Sequence, residues 1–139
     1  MTGHLVLATV HTNDSISSVT RLIDMGVEPF LLSSSLLGVL AQRLVRKLCP
    51  ECRTQDAQGH WHAVGCPHCS GTGYKGRTGV YELMVADDRL RSLIHSRAAE
   101  SELIVAAQRA GLKSMREDGQ RLVTAGITSL EEVIRVTRD

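Results

Sequence analysis

Two Cys-x-x-Cys knuckles, Cys49-Pro-Glu-Cys52 and Cys66-Pro-His-Cys69, stand thirteen residues apart in a chain of 139 residues. Each knuckle lets two thiolates approach one tetrahedral ion, and the loop between them returns the second pair to the first. From Cys49 to Gly79 the composition turns to Cys, Gly, His, Pro and Thr with little hydrophobic periodicity. A metal, rather than an apolar core, is therefore expected to organise this insert. Zn2+ is the expected ion, in a structural role, because four thiolates already close its shell; binding on the order of 10 kcal/mol substitutes for the missing core. An iron–sulfur cluster or a redox pair draws on the same residues, and a three-ligand catalytic zinc with His60, His62 or His68 replacing a cysteine is a further alternative. A zinc ion held by four thiolates carries a charge of about −2, and Arg46, Lys47, Arg53, Lys75 and Arg77 are near in sequence to offset it.

Composition narrows the setting. Sixteen Lys and Arg against fifteen Asp and Glu leave a formal charge of +1, which disfavours a strongly basic nucleic-acid-binding chain. Aromatics at 3% offer no stacking surface for bases and leave the core to Leu, Val, Ile and Ala. The apolar stretch from Phe30 to Ala41 is broken by Ser33, Ser34, Ser35 and Gly38 and is too short to cross a bilayer, so no transmembrane span is expected. The start lacks the pattern of a signal peptide, which places the cysteines in a reducing cytoplasm, where they need a reason other than disulfides.

The order of elements reads as α/β. Leu5 to Val10 is an unbroken apolar and β-branched run of the kind buried in a parallel sheet. Such a strand needs neighbours, and the run begins so near residue 1 that the chain reads as the back part of a larger domain. Asn13 and Asp14 supply an N-cap for a helix carrying Ile16, Val19 and Ile23, which Gly26 ends. Pro29 is expected to open a second helix carrying Leu32, Leu36, Val39, Leu40 and Leu44 and finishing in Arg43, Arg46 and Lys47. Thr78 to Met84 reads as a strand. The remainder reads as capped helices: Asp87 or Asp88 before Leu90, Leu93 and Ile94, then a stripe of Leu103, Ala106, Ala107 and Ala110. Capping-box spacing follows at Ser114/Glu117 and Ser129/Glu132. The expected division is residues 1–48 for the end of an α/β domain, 49–76 for the zinc lobe, 77–86 for a returning strand, and 87–139 for a small helical subdomain.

The run Thr2-Gly3-His4-Leu5-Val6-Leu7-Ala8-Thr9-Val10-His11-Thr12-Asn13-Asp14 puts a histidine at each end of the first strand. Ligands of open α/β sheets bind beyond the carboxyl ends of strands, where an imidazole can sense or stabilise phosphate charge. A capped turn with hydrogen-bonded histidines accounts for the same residues.

Together with Arg21-Leu-Ile-Asp-Met-Gly-Val-Glu-Pro-Phe30, Leu40-Ala-Gln-Arg-Leu44, the tetracysteine insert and Gly76-Arg-Thr-Gly-Val-Tyr-Glu82, this run resembles the secretion ATPases of type II secretion and type IV pilus assembly, the type II members most. The resemblance spans essentially the whole chain. It implies a partial RecA-like nucleotide-binding domain with a tetracysteine zinc insert and a small α-helical carboxyl-terminal subdomain. It also implies a homo-hexamer that turns ATP hydrolysis into pseudopilus assembly, working with inner-membrane secretion platform proteins at the cytoplasmic face of the inner membrane. His4 and His11 match the family's box histidines, placed near the nucleotide's γ-phosphate, with His11 as the expected contact. Cys49, Cys52, Cys66 and Cys69 match its zinc ligands, and Arg43 and Arg77 fall in recurrent family motifs. Thirteen residues between the knuckles is short for the type II members.

Two elements of that family are missing: a Gly-x-x-x-x-Gly-Lys-[Ser/Thr] phosphate loop and an apolar strand ending in a magnesium-holding acid. ATP and Mg2+ are thus expected only in a full-length enzyme, Met1 is expected to mark a fragmentary start, and this chain is expected not to hydrolyse ATP by itself. Cys66-Pro-His-Cys69-Ser-Gly71-Thr-Gly73 also resembles one zinc repeat of the J-domain co-chaperones. That leaves a stand-alone zinc interaction module as the reading from a different class.

Overall fold

Asp14 starts the first helix by accepting the Ser17 amide at 2.7 Å. In the computed structural model, which describes residues 3–138, this caps α1 (Ser15–Asp24), whose Ile16 and Val19 are buried. Helix α2 (Pro29–Ser35) begins on Pro29, which needs no amide partner in a first turn.

The expected long helix from Pro29 to Lys47 does not form. Helix α2 stops at Ser35 and strand β1 (Gly38–Leu48) follows. Two physical reasons are visible. Ser33, Ser34 and Ser35 turn their hydroxyls back onto the Phe30 and Leu31 carbonyls at 2.6–3.1 Å, a local competition that weakens helix continuation. Gly38 then lets the strands approach closely, since a Cβ there would lie 2.8 Å from the Met84 carbonyl oxygen. Beyond it, exposure alternates along β1 with the period of a strand.

The expected strand at Leu5–Val10 is also corrected. Among the described residues no strand pairs with it, and Leu5, Val6 and Leu7 are 73, 79 and 88% exposed. A strand is defined by its ladder, and apolar β-branched residues alone do not make one.

Strand β1 pairs with β4 (Tyr74–Val85), and the short β2 (Thr54–Gln55) pairs antiparallel with β3 (Trp61–His62). Gly38 lies at Met84 and Gly76 near the Lys47 side chain, so β1 and β4 run antiparallel. Four helices follow: α3 (Asp88–His95), α4 (Glu100–Arg109), α5 (Met115–Thr124) and α6 (Leu130–Val136). Three of their starts are the caps read from sequence, whereas α4 starts after Ala99, whose amide donates to Glu102 Oε2 at 3.1 Å. Asp87 accepts the Leu90 amide at 2.8 Å, and Ser114 and Glu117 form a reciprocal box. At α6 only half a box forms: Ser129 accepts the Glu132 amide, while the Glu132 carboxylate is used elsewhere.

The chain divides into two units. One comprises residues 1–39 and 84–110, with Ile16, Val19, Leu32, Met84, Leu90, Ile94, Leu103 and Ala107 buried. In it the Thr20 hydroxyl donates to Glu100 at 2.8 Å, and Arg91 donates to the Ser33 and Ala86 carbonyls. The other comprises residues 40–83 and 111–139, with a core of Val45, Val80, Met115, Leu122, Val123 and Val133. The segment 87–139, expected as one helical subdomain, is thus shared: α3 and α4 belong with α1 and α2, and α5 and α6 with the strands.

Candidate metal centre

Strand β1 delivers Cys49 immediately after Leu48, and the Cys49 amide donates to the Gly73 carbonyl at 2.9 Å. That bond ties the first knuckle to the end of the second. The Pro67–Cys69 segment makes a single 3-10 turn, after which Ser70 (φ 53°) and Gly71 (φ 76°) adopt left-handed backbone. The Gly71 amide donates to the Cys66 carbonyl at 2.9 Å, closing the turn.

These connections gather the four sulfurs, all of whose Sγ atoms lie within 4.8 Å of one another. Cys49 and Cys66 are 3.8 Å apart, Cys52 and Cys69 3.9 Å, and Cys66 and Cys69 3.8 Å. A disulfide requires about 2.05 Å, and all four cysteines are free thiols. The arrangement suits four ligands around one tetrahedral ion. Around it, the Gly65, Cys66 and Gly73 amides donate to sulfur: to Cys52 at 3.3 Å and to Cys69 at 3.2 and 3.1 Å. Such donors stabilise thiolate charge and orient the lone pairs that bind a metal. Burial disfavours the Cys69 thiolate, yet the amides of Cys66 and Gly73 outweigh it and bring the thiol down to about 6. Cys52 accepts the Gly65 amide, but desolvation and the three neighbouring sulfurs prevail and push it up to about 11.

No histidine joins the cluster among the described residues. His62 instead places Nε2 2.8 Å from Asp56 Oδ2, and His60 Nδ1 lies 3.5 Å from the same oxygen. The other Asp56 oxygen accepts the Gln58 and His60 amides at 3.0 and 2.8 Å. The His62 contact and the two amides hold the Asp56 carboxyl down at about 2. Asp56 therefore organises the β2–β3 hairpin, a role its Asp-x-x-Gly turn pattern could have revealed. His60 and His62 are thus engaged by Asp56, and His68, on the Pro67–Cys69 turn, is likewise outside the ligand cluster.

Two of the expected charge-offsetting cations are also committed elsewhere. Arg53 stacks 4.4 Å above the Trp61 ring and donates to the Gly126 carbonyl. Arg46 lies 4.2 Å over Tyr74 and forms a two-pronged pair with Glu132, Nε to Oε1 at 3.0 Å and Nη2 to Oε2 at 2.9 Å. Arg77 is exposed. The amides around Cys52 and Cys69 supply local compensation of their own.

Gly73 is one of two glycines of the centre, with Gly65, that leave no room for a side chain. Its φ is +78°, and a Cβ there would lie 2.7 Å from Ala63 Cβ and 3.0 Å from the Val64 nitrogen. Gly73→Ala is expected to cost about 1–3 kcal/mol from left-handed strain and collision together. It should weaken metal retention in a competition with a colourimetric chelator; unchanged retention would show that the 73 backbone is not a support of the site.

Beyond the geometry, the family model described as type II/IV secretion system protein matches residues 1–135. The chain belongs to that family. Within the type II/IV secretion family, it is 64% identical over 139 residues to type II secretion system protein HxcR of Pseudomonas aeruginosa, covering 100% of this chain and 29% of that protein. It is 51% identical over 155 residues to type II secretion system ATPase E of Vibrio cholerae, covering 100% of this chain and 31% of that one. Type IV pilus assembly ATPase TfpB of Acinetobacter baylyi is 49% identical, with 98% of this chain and 26% of that protein aligned. The chain thus spans about a third or less of the relatives it matches. In fold it resembles the pilus retraction motor PilT solved with ADP, with a TM-score of 0.68 and 24% identity over 99% of this chain and 34% of that one. The ATPase DotB of Legionella pneumophila gives 0.58 and 15% over 91% and 30%. The fold class is the RecA-like α/β one expected.

His4 and His11 stand in the segment ahead of α1 that forms neither helix nor strand. Both His4 and His11 are exposed, and His4 makes interactions within the chain. Thr2, the first residue of that run, lies outside the described residues. Sequence reasoning missed the carboxylate of Glu132, 1% exposed, which accepts the Arg46 amide and guanidinium together with Arg135. Its partners are 86 residues away in sequence at Arg46, and no local pattern announces them.

Proposed function

We propose that this chain is the carboxyl-terminal part of the ATPase that powers type II protein secretion, hydrolysing ATP in a hexameric ring to assemble a pseudopilus. The observation that carries the reading is the alignment of the whole chain to type II secretion proteins at 51 to 64% identity. Type IV pilus assembly is the second reading, supported by the 49% identity to TfpB. Alignment to HxcR needs 139 positions whereas the E protein needs 155, which fits a zinc lobe shorter than that of many type II members.

In this reading Cys49, Cys52, Cys66 and Cys69 hold one structural Zn2+. Zinc–thiolate bonds of about 2.3 Å space the sulfurs of a tetrahedron by about 3.8 Å, the separation found for three of the pairs. The ion supplies cohesion to residues 49–76 and takes no part in hydrolysis. ATP and Mg2+ belong to the full-length enzyme, since this chain has no phosphate-binding loop. The protein acts in the cytoplasm, peripheral at the inner membrane, where platform proteins receive it. No helix among the described residues is long and apolar enough to cross a membrane.

His11 contacts the γ-phosphate region and His4 supports the same wall. In the full-length enzyme, His11→Ala is expected to lower ATP turnover by about 100-fold, the scale of losing one positioned polar group, while leaving the melting temperature close to that of the parent. Turnover equal to the parent's would overturn the assignment. An enzyme that hydrolyses no ATP even with His11 intact would overturn the motor reading itself.

A further inference from the structure

A cleft of about 360 Å³ lies beside the first knuckle, within the unit formed by residues 40–83 and 111–139. Lys47 near the end of β1, Lys75 at the start of β4 and Arg53 just after the knuckle line it. Leu48, Pro50 and Ile127 give it an apolar floor. Among the described residues no carboxylate lines it, and Glu51, the acid beside Pro50 in sequence, is exposed and forms none of its walls. Three cations thus surround an apolar hollow that holds no anion of its own. Arg53 is fixed by its stack on Trp61 and its bond to the Gly126 carbonyl. Lys47 and Lys75 are exposed, and among the described residues neither forms an ion pair or donates to a cysteine sulfur.

The backbone decides which anion suits this cleft. A phosphate is held by unspent amides or by a two-pronged arginine. Here the Leu48 amide donates to the Ile127 carbonyl, Cys49 to Gly73, Arg53 to Cys49, Gly126 to Val123 and Ile127 to Leu122, and Pro50 has no amide hydrogen to give. A surface that enters a membrane presents exposed apolar side chains, and none of the large hydrophobic side chains exposed on this chain lines the cleft. The geometry points to a docking site for an acidic segment of a protein partner: an aliphatic side chain of the segment seats against Leu48, Pro50 and Ile127, and flanking carboxylates meet Lys47 and Lys75. The rim charges set specificity and encounter rate, and the seated anchor sets how long the segment stays. This docking site stands apart from the motor reading, since none of its residues is placed at the nucleotide.

Fluorescence anisotropy tests this with the full-length protein, its metal bound, and short dye-labelled peptides of aspartate and glutamate around one central leucine, isoleucine or serine. Replacing both lysines, Lys47→Gln with Lys75→Gln, is expected to weaken the leucine peptide by about tenfold, the scale of two rim ion pairs. Serine in place of the central leucine is expected to weaken it by about tenfold or more, the scale of one seated aliphatic side chain. The charge-swapped protein, Lys47→Glu with Lys75→Glu, should instead prefer a peptide of lysine and arginine around the same leucine, a gain that a folding defect cannot produce. No binding by the parent protein, or equal binding by the parent and the glutamine variant, overturns the inference. A serine peptide that binds as tightly as the leucine one leaves only attraction to a basic surface and overturns it too. Vesicles of phosphatidylglycerol that bind with the same lysine dependence, while the peptides do not, assign the cleft to a membrane and overturn it as well.

Discussion

Chelation of the tetracysteine centre is expected to unfold residues 49–73. The freshly reduced chain should carry one zinc per molecule, and a strong chelator should abolish the cooperative melting of this segment. Few of its side chains are buried apolar ones: Cys49 and Cys69 are 0 and 6% exposed, whereas Val64 is 59% exposed and His60 faces solvent. Short strands of two residues each cannot hold by themselves. The coupled binding energy of a structural zinc, on the order of 10 kcal/mol, therefore exceeds anything else available there. Cys69→Ser is expected to reproduce the chelator's effect, because Cys69 Sγ also accepts the Cys66 and Gly73 amides. Metal analysis finding no zinc in any freshly reduced preparation, or a melt indifferent to the chelator, would overturn the account.

The second large effect belongs to Glu132. Its carboxylate is 1% exposed and accepts the Arg46 amide, the Arg46 guanidinium and, at 2.6 and 3.0 Å, the Arg135 guanidinium. Removing one partner of a buried pair costs about 3–5 kcal/mol, and the lower end applies because both arginines are about half exposed and can hydrate. Glu132→Ala should lower the unfolding free energy at pH 7 by about 3 kcal/mol, read by denaturant titration. Burial opposes ionisation, but Arg135 and Arg46 prevail and hold the carboxyl at about 2, below its ordinary 4.5. The unfolded chain then binds its proton at the higher pH. The stabilisation is complete above about 4.5 and drains away as pH falls toward 2. Glu132→Gln should flatten this acid limb, and a limb of unchanged slope would assign it to other carboxylates.

What could be read from the sequence was whatever is decided within a few residues. The knuckles, the Asp14, Asp87, Ser114 and Ser129 caps and the strand at Thr78–Met84 all depend on local chemistry and are present. The helix expected through Leu44 failed because apolar residues at 32, 36, 39, 40 and 44 fit a helical stripe, while β1 carries apolar residues on both faces and so hides its period of two. Leu5–Val10 has strand composition, but its pairing partner is a non-local matter. The same holds for Glu132, whose capping-box position suggested a local bond until Arg46 claimed its carboxylate. Around the metal, the amide donors to sulfur were invisible because backbone direction is not written in residue identity.

The Arg53–Trp61 stack has a practical side. Trp61 is the single tryptophan of the chain, and a Cβ on Gly126 would lie 2.7 Å from its ring. The indole thus sits where the β2–β3 hairpin meets the turn between α5 and α6, under a guanidinium that perturbs its excited state. Its emission is a built-in optical gauge of whether the hairpin is seated, readable in dilute solution without a label and separable from the far-ultraviolet signal of the helices.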